Sequence, residues 1–471
     1  MKTYKTEIAI VGAGPTGLGA AWRLNELKQE SWLVVEDAPS AGGLASSAVD
    51  ENGFVWDMGG HVLFSHYDYF DRVVDSCMGK NWTKRDREAW IWIRNQFIPY
   101  PLQNNIWRLP ETDLLDCLDG LLSVHNKPAE PLRTDSFEDW IYRNFGKGLA
   151  DVFFLPYNLK VWAFEPKQLS SCWIQDRVAT VDLSRVLRNV ILRRDEFGWG
   201  PNSTFRFPAR GGTGVIWKNV ASKLPEQNLL FEKKVIQVNT EARVLKLADG
   251  STIEYKYLIT TMPLNRFLEI LGPDKSLAKH AKNFLHSSIN LLGVGIEGKP
   301  PKELHNKCWI YFVEDEFPFY RVTVFSNYSQ FNVPRPGEQW SLLCEISESK
   351  DKPVDHSKLA KAALAALNRA GIVSKNVAIA SLWQKRLEYA YPTPFLHRDE
   401  LLKPIEEKLR NWNIYSRGRF GAWKYEVSNQ DHSFMQGVEA VDHILFGAEE
   451  ITYNHPTIVN ANRQTGRKAP R

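Results

Sequence analysis

Short apolar runs and helically spaced stretches alternate at the start of the chain. Glu7-Ile8-Ala9-Ile10-Val11 reads as a buried strand, and it runs into Gly12-Ala13-Gly14-Pro15-Thr16-Gly17. Leu18-Gly19-Ala20-Ala21-Trp22-Arg23-Leu24 follows with small apolar residues at helical spacing, and Trp32-Leu33-Val34-Val35-Glu36 is a second strand closed by an acid. From Lys234 to Met262 the pattern predicts a three-stranded meander that feeds one more strand into a sheet. Near the end, Phe434, Val438, Val441 and Leu445 mark an amphipathic helix beginning near Ser433, with Asp431 or Ser433 as its cap.

Two other stretches differ in character. Residues 108–204 are helix-prone, with apolar periodicity in Leu114-Leu115-Cys117-Leu118 and in Phe137, Trp140, Ile141 and Phe145. Residues 281–411 alternate like antiparallel strands, as in Tyr320-Arg321-Val322-Thr323-Val324-Phe325, with one helix at 357–370. The predicted fold class is α/β (α+β overall). Residues 1–85, 205–280 and 412–471 make a discontinuous Rossmann-like domain, 108–204 an inserted helical domain, and 86–107 with 281–411 an antiparallel-sheet substrate domain.

The β-α-β unit places its glycines where a dinucleotide fold needs them. Gly12 permits the tight turn, Gly14 lets the backbone approach a pyrophosphate, and Gly17 lets the helix pack on the strand. An anion there sits on free N–H groups at a helix N-terminus. Glu36 stands where an acid holds adenosine ribose hydroxyls. The doublets Gly42-Gly43 and Gly59-Gly60 follow closely, and they fit a cofactor that extends past the first pyrophosphate contact, as FAD does.

Composition narrows the functional class. The 471 residues carry a net charge of +4, too little for a nucleic-acid footprint, and no apolar run is long enough to span a membrane. Five scattered cysteines without a C-x-x-C pair argue against a disulfide framework or a zinc site, and with no secretory signal the expected home is cytoplasmic. The 17 Trp, 16 Tyr and 24 Phe are the unusual feature, because Tyr and Trp join a flat apolar face to a hydrogen-bonding edge and so suit sugars and nucleobases.

Several longer segments carry a family resemblance. Gly59-Gly60-His61-Val62-Leu63-Phe64-Ser65-His66, Pro99-Tyr100-Pro101-Leu102-Gln103-Asn104-Asn105 and Pro156-Tyr157-Asn158-Leu159-Lys160-Val161-Trp162 resemble the UDP-galactopyranose mutases. The pieces at 205–214, 318–321 and 425–434 resemble the eukaryotic-type branch. The resemblance implies an isomerase that interconverts UDP-galactopyranose and UDP-galactofuranose with no net redox. It implies non-covalent, reduced FAD whose N5 forms a covalent adduct with galactose, and NADPH or NADH as reductant. Nucleophilic catalysis of this kind puts the nucleophile on the cofactor and leaves position and charge to the protein.

Site residues follow from the same resemblance. It implies cofactor contacts at Gly12, Gly14, Pro15, Thr16, Gly17, Glu36, Gly42, Gly43, Leu44, Ser46, Gly60, His61, Val235, Arg419, Asn429, Gln430 and Ser433. Tyr100 and Gln103 resemble uracil contacts, and Phe153, Asn158 and Trp162 the rest of the uridine pocket. Arg177 and Arg321 resemble the diphosphate clamp, a role suited to a permanently charged bidentate fork. Tyr311, Tyr328, Tyr391 and Tyr425 resemble the phenols that close around it, and Asn202 and Trp309 resemble galactose neighbours. His61 and Arg419 resemble groups beside the flavin ring, so the catalytic set is Arg177, Arg321, His61 and Arg419. Two competing readings share the nucleotide motif: an FAD-dependent oxidase of the amine-oxidase or protoporphyrinogen-oxidase type, which needs an apolar substrate tunnel, and a non-catalytic nucleotide-binding flavoprotein.

Overall fold

Four successive apolar residues with no polar alternation make a strand that must be covered on both faces, and Ile8–Val11 becomes the centre of a parallel sheet. The computed structural model describes residues 2–126, 136–174, 178, 181–197 and 204–461. In it, Trp32–Val35 and Leu229–Leu230 lie on one side of Ile8–Val11, and Tyr257–Thr260 and Ile414–Ser416 on the other, all parallel. The strands Val235–Asn239, Val244–Leu247 and Thr252–Glu254 form the antiparallel meander of a second sheet.

Helix Pro15–Glu26 packs along helix Gln430–Phe446 at backbone distance. A Cβ on Gly19 would overlap the Phe434 carbonyl, and one on Gly437 the Thr16 carbonyl. The later helix starts earlier than the apolar spacing suggests, with Asn429 as its N-cap and no side-chain capping bond. The expected cap at Asp431 or Ser433 is therefore corrected. The Asp431 carboxylate instead accepts from the backbone N–H of His66 at 2.9 Å and pairs with its Nδ1 at 2.6 Å, and Ser433 lies inside the first turns, its N–H donating to the Asn429 carbonyl. A tertiary partner outcompeted the local cap.

The largest sheet has seven strands, in the order Ile379–Pro392, His286–Glu297, Gln339–Glu348, Arg321–Val324, Trp309–Phe312, Ala89–Ile93 and Gln96–Pro99. Its pairs are antiparallel except for Trp309–Phe312 against Ala89–Ile93. The sheet docks against the N-terminal part of the chain through Phe54 and Trp56, whose stacked rings sit 5.8 Å apart over Gly293 and Gly295. The insert contributes helices Glu111–His125, Phe137–Leu149, Leu155–Trp162 and Leu183–Leu192. Helix Leu359–Arg369 falls within the predicted span, whereas helix Arg398–Asn411 was not anticipated. No helix among the described residues is long and apolar enough to cross a membrane.

The close helix crossing gives a stability test. Gly437→Val inserts three carbons where no room exists, and overpacking of this kind costs about 1–3 kcal/mol. Thermal unfolding is expected to show a lowered Tm. A Tm equal to wild type would mean the two helices do not touch as described.

Candidate active site

The first turn of helix Pro15–Glu26 opens with bare backbone N–H groups: Gly14 is the N-cap without a side-chain bond, Pro15 follows, and no acid occupies the first turn. Gly12 adopts φ +101°, which an L side chain rarely tolerates, and a Cβ on Gly17 would collide with the Gly12 carbonyl. Across from this turn lies Gly43, where a Cβ would come to 3.4 Å of Gly14 Cα, so Leu44 and Ser46 leave the second glycine turn beside the first. Thr16 is buried beneath Gly418. The Glu36 carboxylate accepts from the N–H of Ala13 at 2.6 Å and of Ala38 at 2.8 Å, which holds the acid at the mouth of the turn. Val235 begins the meander close by, since the Lys233 N–H bonds the Glu36 carbonyl. Two facing glycine turns, a helix end without a competing anion and a terminal acid together make a cradle that fits a dinucleotide's phosphates.

Asp57 ties three glycine-rich segments of this cradle together. Its buried carboxyl accepts from Ser47 Oγ at 2.5 Å and from the Thr213 N–H at 3.0 Å, and burial pushes it up to about 6. Two residues later comes the Gly59-Gly60-His61 turn. This turn lies directly against the seven-stranded sheet: a Cβ on Gly60 would sit 2.8 Å from Thr323 Oγ1, 3.1 Å from Glu345 Oε2 and 3.3 Å from Arg321 Cζ.

Arg321 and Glu345 face each other in register on adjacent antiparallel strands. The guanidinium forks onto the carboxylate through Nε and, at 2.7 Å, through Nη2, while the Tyr320 hydroxyl donates to Glu345 Oε1 at 3.1 Å. Glu345 is only 1% exposed, so Arg321 gives it the partner that a buried carboxylate requires. The guanidinium stays charged, because the adjoining carboxylate outweighs the cost of its burial.

Aromatic groups ring this pair in three sets. Tyr311 meets Tyr100 and Tyr157 edge-on at 5.5 and 5.6 Å, and Phe153 stacks on Tyr157 at 5.3 Å. Gln103 is buried, and Asn158 donates to the Phe154 carbonyl at 2.8 Å. Trp162 points to a second set, 4.8 Å from Tyr425 and 5.6 Å from Tyr391, which Trp173 joins. Arg419 lies 5.1 Å over the Tyr391 ring and donates to the Ala390 carbonyl and to Ser428 Oγ. A third set contains Trp309, Tyr328, Phe205 and Phe207, with the Arg87 guanidinium 5.0 Å over Trp309. Asn429 caps the later helix, and Gln430 accepts from Trp217 Nε1 at 2.8 Å. Arg177 and Asn202 lie outside the described residues.

Four buried polar atoms here lack a hydrogen-bond partner: His61 Nδ1 next to Gly60, Thr323 Oγ1 facing Gly60, and Trp309 Nε1 and Tyr328 Oη within the third aromatic set. Buried polar groups are seldom left unpaired, and a cluster of them marks a place built for a polar ligand. The sequence reading missed Glu345, Tyr320, Thr323, Tyr157, Trp173 and Arg87. Glu345 had a usable signal, being an acid in the interior of a strand whose neighbouring positions, Leu342 to Ser347, are otherwise apolar or hydroxyl-bearing. A separate cluster, His66, Asp431 and His432, brings ligand-type atoms within 4.8 Å of one another. One Asp431 oxygen there is already held by His66 at hydrogen-bond distance.

The sequence signature of the flavin containing amine oxidoreductases matches residues 15–469. A crystal structure of reduced UDP-galactopyranose mutase superposes with a TM-score of 0.94 at 47% identity, covering 97% of each chain. Protoporphyrinogen oxidase 1 of Arabidopsis thaliana chloroplasts is 26% identical over 174 residues, 36% of this chain. Mitochondrial protoporphyrinogen oxidase of Nicotiana tabacum is 22% identical over 288 residues, 55% of this chain. The chain spans 32% and 55% of the lengths of those two oxidases. Putrescine oxidase bound to putrescine shares the fold, with a TM-score of 0.65 at 16% identity over 94% of this chain and all of its own.

His61 supplies a pH test. Burial, and then the Arg419 guanidinium, push its imidazole down to about 4. A histidine lowered in the folded state takes up its proton first in the unfolded chain, so its contribution to stability is lost as pH falls from about 6.5 through about 4. At full extent that loss amounts to about 3 kcal/mol. In denaturant titrations of flavin-free protein, His61→Asn is expected to lose less stability than wild type between pH 6.5 and 4. Parallel curves for the two proteins would show that His61 keeps an ordinary affinity for protons.

Proposed function

The chain belongs to the UDP-galactopyranose mutase branch of the flavin containing amine oxidoreductases, and we propose that it interconverts UDP-galactopyranose and UDP-galactofuranose. The observation that carries this reading is the Arg321 guanidinium lying against the Gly60 turn, with the unpaired His61 Nδ1 and Thr323 Oγ1 beside that turn and three aromatic sets around the guanidinium. An oxidase handling an apolar substrate has no use for a partly buried cation at that place.

The residues of the cradle fit FAD, held non-covalently. Gly12, Gly14, Pro15, Thr16 and Gly17 would carry one phosphate region, Gly42, Gly43, Leu44 and Ser46 the next, and Glu36 the ribose. Gly60, His61, Arg419, Asn429, Gln430 and Ser433 would surround the ring, with NADPH or NADH as the source of electrons. Bound and reduced there, FAD would supply a nucleophilic nitrogen for the anomeric carbon, with no net redox in the overall reaction.

The chain's own groups then bind and orient. Arg321, with Arg177 as its partner, would grip the diphosphate and keep the departing UDP in place for its return. Burial holds the phenols of Tyr328 and Tyr391 above their usual range, so at neutral pH both remain protonated donors suited to phosphate oxygens. Tyr311 and Tyr425 would complete that wall. Tyr100, Gln103, Phe153 and Asn158 would receive the uridine, and Asn202 and Trp309 the sugar. His61 stays neutral, so one ring nitrogen can donate while the other accepts. The aromatic sets exclude water, which strengthens each polar contact they enclose.

The test is anaerobic conversion of UDP-galactofuranose by protein reduced once and freed of excess reductant. Many product equivalents per enzyme are expected, and none from the oxidised protein. Product that stops at one equivalent, or forms equally with oxidised protein, refutes the isomerase. Arg321→Ala should lower kcat/KM by ~30- to 1000-fold, the loss of a charged bidentate contact in a partly desolvated site. Arg321→Lys should recover little, having charge without the fork.

A further inference from the structure

Lys160 is a buried charged group in this region that the proposed reaction leaves without a role. It lies on helix Leu155–Trp162, two residues from both Asn158 and Trp162, and is only 3% exposed. Its ammonium makes no ion pair among the described residues. It donates instead to two backbone carbonyls, of Glu314 at 2.8 Å and Phe317 at 2.7 Å. Those carbonyls belong to the connection between Trp309–Phe312, which carries Trp309 and Tyr311, and Arg321–Val324, which begins with Arg321.

The same helix is pinned from a second direction. Ser347 Oγ donates to the Lys160 carbonyl and Ser349 Oγ to the Ala163 carbonyl, at 2.5 Å for the latter. Ser347 stands two residues after Glu345 on one strand, so both side chains leave the same face. One of them grips Arg321 and the other grips the helix. A buried amine without a counter-charge is expensive. Burial, and then Lys352, push Lys160 down to about 7, with Asp315 and Glu314 acting in the opposite direction. Lys352 itself donates to the Ser347 carbonyl at 2.7 Å. A methionine would fill the volume at lower cost, but only a donor fixes the distance between helix and connection.

We propose that Lys160, with Ser347, is a positioning residue that sets the spacing between the uridine-facing side chains of helix Leu155–Trp162 and the diphosphate-facing Arg321. The inference rests on the UDP-sugar reading above and adds to it a specificity device: a ligand spanning both subsites is favoured over one that fills either alone. Lys160 is not expected to touch substrate.

The experiment compares UDP with uridine on flavin-loaded protein, by calorimetry or by the ligand-induced change in the flavin spectrum. Lys160→Met should weaken UDP about tenfold and leave uridine within about twofold, with FAD content and spectrum unchanged. Ser347→Ala should weaken UDP about threefold in the same selective way, and it carries the test if Lys160→Met yields no folded protein. In turnover, KM should rise while kcat stays within about twofold. Equal weakening of UDP and uridine, or UDP affinity within twofold of wild type in the folded variants, overturns the inference alone. A wild-type protein that binds neither UDP nor uridine overturns the functional reading and the inference with it.

Discussion

The bidentate pair of Arg321 and Glu345 is the contact from which the candidate site is built. Neither charge could be tolerated singly in this place: removing one partner of a buried pair strands the other and commonly costs several kcal/mol. The pair is possible because two antiparallel strands bring residues 24 positions apart into direct register. Tyr320 adds a third bond to the carboxylate, which leaves the fork in one orientation. The Gly60 turn then reaches the pair so closely that an added Cβ would stand 3.1 Å from Glu345 Oε2 and 3.3 Å from Arg321 Cζ. The sheet's cation and the nucleotide cradle's turn are thereby locked to a common point.

Much of the packing serves this junction. Phe54 and Trp56 seat the hairpin of Ser47–Val49 and Val55–Asp57 on the glycines of strand His286–Glu297, and Asp57 bonds Ser47 across that hairpin and Thr213 outside it. Arg398, buried on helix Arg398–Asn411, grips Glu426 with both ends of its fork, at 2.6 and 2.8 Å, directly beside Tyr425. Buried ion pairs of this kind contribute little net stability but penalise alternative arrangements strongly, which suits elements that must hold side chains from separate segments around one ligand.

What could be read from the sequence was local. The strand, glycine turn, helix and acid between Glu7 and Glu36 lie within one chain segment, so spacing alone identified them. Contacts between distant segments were a different matter. Glu345 was invisible as a partner of Arg321, although two isolated opposite charges in neighbouring apolar strands could have been paired. Helix Arg398–Asn411 was hidden by its charges and by Pro404, yet Leu402, Ile405 and Leu409 already carried a helical 3 and 4 spacing. Asp431 was misread as a cap because His66, 365 residues away, is the better partner. Trp162 shares a motif with Asn158, and its ring contacts with Tyr391 and Tyr425, more than 220 residues away, are of the kind that only the fold discloses.

The central claim is that one paired guanidinium receives the diphosphate of a UDP-sugar beside the Gly60 turn. A crystal structure of the reduced, flavin-loaded protein with UDP tests it most directly. The account predicts diphosphate oxygens within hydrogen-bond distance of the Arg321 guanidinium, Glu345 still forked onto it, and Tyr328 and Tyr391 hydroxyls turned toward the phosphates. UDP bound elsewhere on the molecule, or its diphosphate held by groups that exclude Arg321, would contradict it.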